Sequence, residues 1–417
     1  MSGIVVIGGG IGGLTLALCL HRNGIPCQVV EAVAEVKPLG VGVNILPHAA
    51  AEFGRLGLEE ALLRHCVQTD EANFFNRFGQ LVHREPLGRA AGYAHPQMSL
   101  HRADLHAVLL EAARERLGAG AILLDRRVAR VEQDEDGVTV EFTPDRTGAA
   151  PPALRGSVAI GAEGIHSVLR RQSYPTEGEP KYTGYNMWRG VTRWPPILTG
   201  ASMTRVGWLK TGKMVLYPIR NDVYGEGRQL LNWVFEVETD KHRSRRDWNR
   251  PGDVEDFMPY VRDWVFDWLD VPAMLRASEV VLEFPMVDQD PLPRWTFGRT
   301  TLLGDAAHPM VPRGSNGAGQ SILDARCLAD RLAAHADDPE AALRAYEAER
   351  LPATTNVVLT NRRNPPDVIL REVFERTGDR PFDRIEDVMS QEEMLAITSG
   401  YKQVAGYDLA SLASRPN

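Results

Sequence analysis

The sequence predicts an α/β fold: a parallel-sheet domain, an antiparallel sheet inserted into it, and a helical cap at the C-terminal end. Three observations predict it. The chain opens with a short β-branched run, a burst of glycines and a buried apolar stretch, the order of strand, turn and helix. The middle, 181–290, is rich in Trp, Tyr and Met and alternates apolar with polar residues. Beyond residue 300 a buried strand and long helical patterns return.

Taken in order, Ile4-Val5-Val6-Ile7 is the first strand, residues 14–20 lie in a buried helix, and Val29 and Val30 close a second strand ending at Glu31. Residues 103–117 form a helix with Leu105, Val108, Leu109 and Ala112 on one stripe, stopped by Gly118. Residues 128–133 and 138–143 alternate around Asp-Glu-Asp-Gly at 134–137, which predicts a hairpin. Residues 158–160 are a further short strand. In the middle region Leu231, Trp233, Phe235 and Val237 share one parity, and 210–213 (Lys-Thr-Gly-Lys) reads as a hairpin tip. Residues 300–304 return to a buried strand and 317–334 to a helix. Asp338-Pro339 starts another helix that runs to about Arg350, with proline in its first turn. The expected division is 1–75, 100–180 and 277–364 for a discontinuous Rossmann-like domain, 76–99 and 181–276 for the inserted sheet, and 365–417 for the cap.

Composition excludes several function classes. The 417 residues carry a formal net charge of −8, whereas a sequence-independent grip on nucleic acid needs a basic surface. Four cysteines (Cys19, Cys27, Cys66, Cys327) lack metal-like spacing and read as reduced, buried thiols, so no metal site is expected. No apolar run is long enough to cross a bilayer. With the first strand at Ile4, no signal peptide is expected, and a cytoplasmic location follows.

Chemistry is written in three places. Residues 8–13 (Gly-Gly-Gly-Ile-Gly-Gly) match G-x-G-x-x-G at Gly8, Gly10 and Gly13. Gly8 permits the tight turn, Gly10 lets the backbone approach a pyrophosphate, and Gly13 lets the helix pack on the strand. The phosphate would meet the positive helix N-terminus, and Glu31 stands where an acid accepts hydrogen bonds from a ribose. The second place is 304–309 (Gly-Asp-Ala-Ala-His-Pro), where Asp305 follows a strand end, the position at which open α/β sheets bind ligands; a loop N-cap is the competing reading. The third is 162–167 (Ala-Glu-Gly-Ile-His-Ser), backed by Arg170 and Arg171, which by itself is a turn leading into a basic helix start.

Together, in this order, the three stretches make the chain resemble the class A flavoprotein monooxygenases, the group of para-hydroxybenzoate and salicylate hydroxylases. Residues 39–45, 187–192, 217–219, 231–234 and 285–288 narrow the resemblance toward phenazine hydroxylases. The resemblance implies a Rossmann-like FAD-binding domain with a substrate-binding sheet, FAD as cofactor, NADH or NADPH as co-substrate, O2, and a small aromatic substrate hydroxylated through a C4a-hydroperoxyflavin. For a ring carboxylate it implies possible loss of CO2. The partners expected are these small molecules alone, with no nucleic acid or membrane, in a monomer or homodimer.

Residue by residue, the resemblance implies that Gly8, Gly10 and Gly13 hold the pyrophosphate and Glu31 the adenosine ribose. Gly42, Val43, Arg102 and Val128 contact FAD, and Asp305 binds the ribityl chain. Gly317, Ala318 and Gly319 lie against the isoalloxazine. Trp188, Arg189, Tyr217 and Trp233 are the expected pocket residues: aromatic faces suit a flat ligand, and an arginine suits a carboxylate, although a tryptophan on an alternating strand is more often simply a core residue. Tyr217, Pro312 and Gly317 are the expected catalytic positions. Glycines at 40 and 42 would let the flavin swing between a reduction and an oxygenation position, unless they serve only turn geometry. His308 is read as structural or flavin-side rather than as a base. The family's mid-chain motif is Asp-Gly, whereas this chain has Glu163-Gly164. No second glycine fingerprint is present, so the nicotinamide is expected to dock transiently. The rival readings are a flavoenzyme that does not oxygenate and a nucleotide-binding module without turnover; a halogenase is disfavoured because its Trp-x-Trp motif is missing.

Overall fold

The computed structural model describes residues 3–35, 41–144, 148–240, 250–363 and 365–413. Its first layer is a five-stranded parallel sheet with Ile4–Ile7 at the centre. Cys27–Val30 pairs on one side of that strand and Ala159–Gly161 on the other, followed outward by Ile122–Leu123 and Thr300–Leu302 respectively. The chain order therefore reverses at Ile4–Ile7, the topological switch point at which such sheets open a crevice. Helices Ile11–Arg22, Arg102–Leu117 and Gly317–Ala334 bury their apolar residues in the same core. The expected hairpin is present: Val128–Gln133 pairs antiparallel with Val138–Phe142. Asp134 closes its turn by accepting from the Asp136 and Gly137 amides at 2.9 and 3.0 Å.

The second layer is an eight-stranded sheet in the order Arg250–Pro251, Ser278–Asp288, Lys181–Trp194, Gln229–Glu238, Gly212–Arg220, Ser202–Trp208, Glu71–Phe75, Leu81–Pro86. Its neighbours pair antiparallel except for one parallel pair, Ser202–Trp208 with Glu71–Phe75, where an earlier part of the chain joins the middle. Glu71–Phe75 and Ser278–Asp288 thus lie in this sheet although they fall outside 76–99 and 181–276. Met98–His101 lies instead in a small sheet between Gly42–Ile45 and Cys66–Gln68.

The two faces of the large sheet have different jobs, and side-chain alternation assigns them. One face carries Trp188, Trp233, Phe235, Met214 and Leu216, packed under Phe257, which precedes the small helix Met258–Val261, and under Val261 and Met274 from that helix and from Val271–Arg276. The other carries Arg189, Val191, Asn232, Tyr217, Met203 and Phe74. That face is covered by the C-terminal helices Val368–Thr377 and Gln391–Ala405, through Leu370, Val373 and Met394. The second of these helices starts with a capping box at Ser390 and Glu393 and ends at Gly406 in a left-handed conformation.

The helix starting at Pro339 does not stop near Arg350 but continues to Arg363 through Pro352. Burial holds it past the proline: Arg350, Thr354, Val357 and Val358 are all inside, and the Thr354 hydroxyl donates to the Arg350 carbonyl at 3.0 Å. Cys19, Cys27 and Cys327 are buried and Cys66 half-buried; all four are free thiols, and burial pushes each up to about 12. Among the described residues no helix is long and apolar enough to cross a membrane, and no cluster of side chains could hold a metal ion.

Candidate active site

The three glycines of the first turn do three different things. Gly8 adopts a positive φ of 106°, and a Cβ there would lie 2.5 Å from the Ala162 carbonyl oxygen. A Cβ on Gly13 would lie 2.0 Å from the Gly8 oxygen, so glycine lets the helix meet the strand. A Cβ on Gly10 would touch nothing within 4 Å, so no protein packing requires a glycine there. The space it leaves lies at the N-terminus of Ile11–Arg22, whose cap makes no side-chain hydrogen bond. Glu31 reaches back to this turn: its Oε2 accepts from the Gly9 amide at 2.7 Å and its Oε1 from the Val33 amide at 3.0 Å. His106, unremarked in the sequence, fixes the Gly9 carbonyl through its Nε2 at 2.6 Å.

Some three hundred residues later the chain returns to the same crevice. Asp305 sits at the floor of a recess: its side chain is open to solvent, yet protein crowds it on every side and raises its pKa. A Cβ on Gly317 would stand 3.9 Å from the Asp305 Oδ1. The 18-residue helix that starts at Gly317 also has no side-chain cap, since Asn316 turns its amide to the Gly314 carbonyl and the Tyr401 hydroxyl instead. Its first N–H groups are therefore available to a ligand, with Ala318 half-buried and Gly319 buried beside them.

His308 belongs to the scaffold of this recess. Its Nε2 is 2.5 Å from the Asp324 Oδ2, which also accepts from the Gly304 amide at 3.1 Å, while the Asp324 Oδ1 accepts from the Arg350 Nε at 2.7 Å. Asp324 is fully buried; desolvation acts against its charge, but His308 and Arg350 prevail and hold its pKa below the ordinary carboxylate value. Arg170 ties in the mid-chain motif by donating to the carbonyls of Ala306 and Ala307 at 2.8 and 3.1 Å. Glu163 caps the following helix, accepting from the Val168 amide at 3.0 Å and the Ser167 hydroxyl at 2.8 Å. Read from the sequence, Arg170 was part of a basic helix start; its buried role depends on a carbonyl pair more than a hundred residues away.

The covered sheet face closes the crevice. Tyr217 is buried and hydrogen-bonded to Arg189 and Asn44; burial outweighs both and raises its pKa, so the phenol is protonated at neutral pH. Arg189 donates to the Gly42 carbonyl at 2.9 Å and lies over the Phe284 ring at 5.1 Å. Gly42 itself is clamped. Its amide donates to the Asn232 Oδ1 at 2.7 Å, and a Cβ there would lie 2.8 Å from Asn232, Ile219 and Tyr217. It belongs to the strand Gly42–Ile45, not to a loose hinge; Gly40 lies outside the described residues. Val43 is half-buried in the same strand, and Val128 is buried in the core of the first layer. Arg102 begins its helix, with its amide 3.1 Å from the Val41 carbonyl, and its charge acts on both Asp305 and Arg189. Pro312 is exposed ahead of the turn Arg313–Ser315, in which Gly314 and Ser315 take positive φ values of 74° and 57°.

Trp188 and Trp233 are not brought to this crevice. Trp188 is next to Arg189 in its strand, and Trp233 pairs across from Gly190, which shares the parity of Trp188, so the pleat sends both indoles to the face opposite Arg189. There Trp188 packs 5.1 Å from Phe257, and the Trp233 indole donates to Ser278 at 3.0 Å. Asn232, next to Trp233 in the same strand and paired with Tyr217, points to the Tyr217 side and was missed because an asparagine carries no aromatic signal.

A model of the FAD-binding domain family matches residues 1–361. The chain belongs to that family. It is 40% identical over 404 residues to phenazine 1,6-dicarboxylic acid hydroxylase PhzS of Lysobacter antibioticus, covering 96% of each chain. It is 33% identical to 3-amino-4-hydroxybenzoate 2-monooxygenase PtnB3 of Streptomyces platensis, covering 99% of this chain and 98% of the relative. The crystal structure of Klebsiella pneumoniae HpxO with FAD and uric acid superposes with a TM-score of 0.79 at 25% identity, over 98% of both chains. These relationships make this family member an FAD-dependent aromatic hydroxylase.

The residues present fit FAD. Gly10 leaves room at one helix N-terminus, Gly317 offers bare amides at another, and the open carboxylate of Asp305 stands beside the second, as a group with two anionic phosphates and a polyhydroxyl chain requires.

Proposed function

We propose that this chain hydroxylates an aromatic ring bearing a carboxylate, with a phenazine carboxylate as the nearest chemistry, using NADH or NADPH and O2. The observation that carries the reading is the pairing of Arg189 and Tyr217, with Tyr217 bonded to Asn44, whose amide lies 3.5 Å from the Ser315 hydroxyl, two residues before the Gly317 helix start. A guanidinium and a protonated phenol beside a cofactor edge are suited to an anionic, electron-rich ring. FAD, when bound, supplies the hydride acceptor and the activation of oxygen. The chain's own residues do the rest. Gly8, Gly10 and Gly13 with Glu31 would receive the adenine end, Asp305 the ribityl chain, and Gly317 to Gly319 the ring edge. Arg189 would orient the substrate carboxylate, and Tyr217 would donate its proton to a ring oxygen or nitrogen. The C-terminal helices exclude water from the covered face.

In the balanced reaction one oxygen atom enters the ring and the other leaves as water, with two electrons from the nicotinamide. Where hydroxylation falls on the carboxyl-bearing carbon, the carboxyl group leaves as CO2. Four free thiols accord with a reducing cytoplasm, and the protein would act as a monomer or homodimer. The test is O2 uptake and product mass with the FAD-loaded protein, NADH or NADPH, and a panel of phenazines and benzoates. A product gaining one oxygen, or exchanging a carboxyl for a hydroxyl, is expected. Nicotinamide oxidation that yields only peroxide across the panel would instead favour a non-oxygenating oxidoreductase.

A further inference from the structure

The sheet face that carries Tyr217 holds more positive charge than its acids match. Four cations stand on it or against it: Arg189, Arg205, Lys213 and Arg313. Two buried acids, Glu236 and Asp367, stand among them; of the other acids on this face, Glu85 is paired with Lys402 and Glu238 is exposed at the edge, so Arg189 and Arg313 are left without a carboxylate within hydrogen-bond distance among the described residues. Arg102 and Asp305, which also act on this region, offset each other.

The acids are already taken. Asp367 binds the Arg205 Nε at 2.8 Å and the Lys213 Nζ at 2.5 Å, and Glu236 binds the same Lys213 at 2.9 Å. Arg313 is left 3.8 Å from Glu236, and its buried Nε and Nη2 donate to no acceptor. Arg189 donates only to neutral oxygens, those of Gly42 and Tyr217, and its Nε is likewise unpartnered. Buried guanidinium N–H groups without an acceptor are costly, the loose ion pair of Arg313 with Glu236 supplies none, and guanidinium is the group best shaped for a carboxylate.

Both guanidinia stand over aromatic rings of the same face: Arg313 over Tyr185 at 4.4 Å and Arg189 over Phe284 at 5.1 Å. Tyr185 and Arg189 are four residues apart on one strand, on the order of 13 Å, so the two cations mark two ends of a surface rather than one bidentate clamp.

We propose that Arg313 is a second carboxylate-binding residue, and that with Arg189 it selects an aromatic dicarboxylate. This rests on the hydroxylase reading above and deepens it, since one arginine answers to a monocarboxylate and two answer to a dianion. Arg313 also opens the turn that leads to Gly317, so an anion held there steadies the cofactor-facing helix start.

The test is equilibrium binding to the oxidised FAD-loaded protein, read from the change in flavin absorbance, with phenazine-1,6-dicarboxylate and phenazine-1-carboxylate as probes. The native protein is expected to bind the dicarboxylate at least tenfold more tightly. Arg313→Gln should bring the two affinities within twofold, and Arg313→Lys should keep part of the difference. Flavin content and melting temperature of each variant establish that it is folded. Equal affinity for the two probes in the native protein overturns the proposal, as does an Arg313→Gln variant that keeps the full preference. Because binding is read without turnover, a preserved dicarboxylate preference with no hydroxylated product would sink the hydroxylase reading and leave the anion site standing.

Discussion

Replacing Asp324 by alanine removes the acceptor shared by His308, Arg350 and the Gly304 amide. The site is fully buried, and the Arg350 side chain is only 10% exposed, so its guanidinium is left without an acid and out of reach of water. Stranding one member of a buried ion pair costs about 3–5 kcal/mol. The orphaned Gly304 amide contributes about 1–3 kcal/mol of its own. The two overlap because both groups lose the same acceptor, so we expect about 4–5 kcal/mol in all. With an unfolding entropy of roughly 2 cal/mol/K per residue, a chain of this size melts about 5 °C lower for that loss. The network also holds Gly304, and hence Asp305, against the Gly317 helix. FAD affinity should therefore fall at least about tenfold, roughly 1.4 kcal/mol. Thermal unfolding of the apoprotein and flavin titration measure the two effects separately. Adding Arg350→Met to Asp324→Ala removes the stranded cation and should restore at least half of the lost stability. A single variant that melts within 1 °C of the native protein and binds FAD unchanged would refute this account of the network.

Other substitutions test other parts of the site. Gly10→Val should abolish FAD retention while leaving the apoprotein's melting temperature nearly unchanged, because a Cβ there meets no protein atom; a yellow, fully loaded Gly10→Val protein would remove the cofactor from that turn. Gly13→Ala should instead damage the fold itself, since its Cβ would lie 2.0 Å from the Gly8 oxygen, and its apoprotein should already melt lower. Asp367 has its pKa held down to about 2: desolvation opposes its charge, but Lys213 and Arg205 prevail. Its folded value lies below the unfolded one, so the stability it contributes is present above about pH 4 and is lost as pH falls toward 2, roughly 2 kcal/mol in total. Asp367→Asn should flatten that part of the stability–pH curve, and an unchanged slope there would count against the pairing. Tyr401→Phe removes the hydroxyl that donates to the Asn361 Oδ1 at 2.7 Å and accepts from the Asn316 Nδ2 at 2.8 Å. We expect a loss of about 1–2 kcal/mol and more peroxide released per nicotinamide oxidised, measured by peroxide assay beside product yield.

Local sequence carried the first layer well, because each of its elements announces itself within a few residues. The glycine turn, the hairpin around Asp134 and the helix from Gly317 to Ala334 each depend on periodicity, turn chemistry or a backbone requirement that neighbouring residues reveal. The parity of Leu231, Trp233, Phe235 and Val237 was equally legible, and all four are buried together. Parity alone does not say which face meets the cofactor. Aromatic character drew attention to Trp188 and Trp233, whereas the crevice side carries Arg189, Asn232 and Tyr217. The groups that hold the site together were hidden for a different reason. His106 to Gly9, Arg170 to Ala306 and Arg350 to Asp324 are contacts across 97, 136 and 26 residues, and no local pattern marks them. The helix through Pro352 shows the same override in reverse, with buried neighbours outweighing a residue that ends helices in isolation.

Strand Lys181–Trp194 has a consequence for how this scaffold tolerates insertions. Its pairing with Ser278–Asp288 is irregular on both sides of an unbroken run from Asn186 to Val191, between Tyr182 and Asn186 and again between Val191 and Thr192. Within that run, adding or deleting one residue would exchange indole for guanidinium across the sheet, placing bulky hydrocarbon against the ligand and a cation in the oily interior. Length changes there are admissible only in twos, whereas the irregular joints at either end can absorb a single extra residue without inverting the molecule's inside and outside.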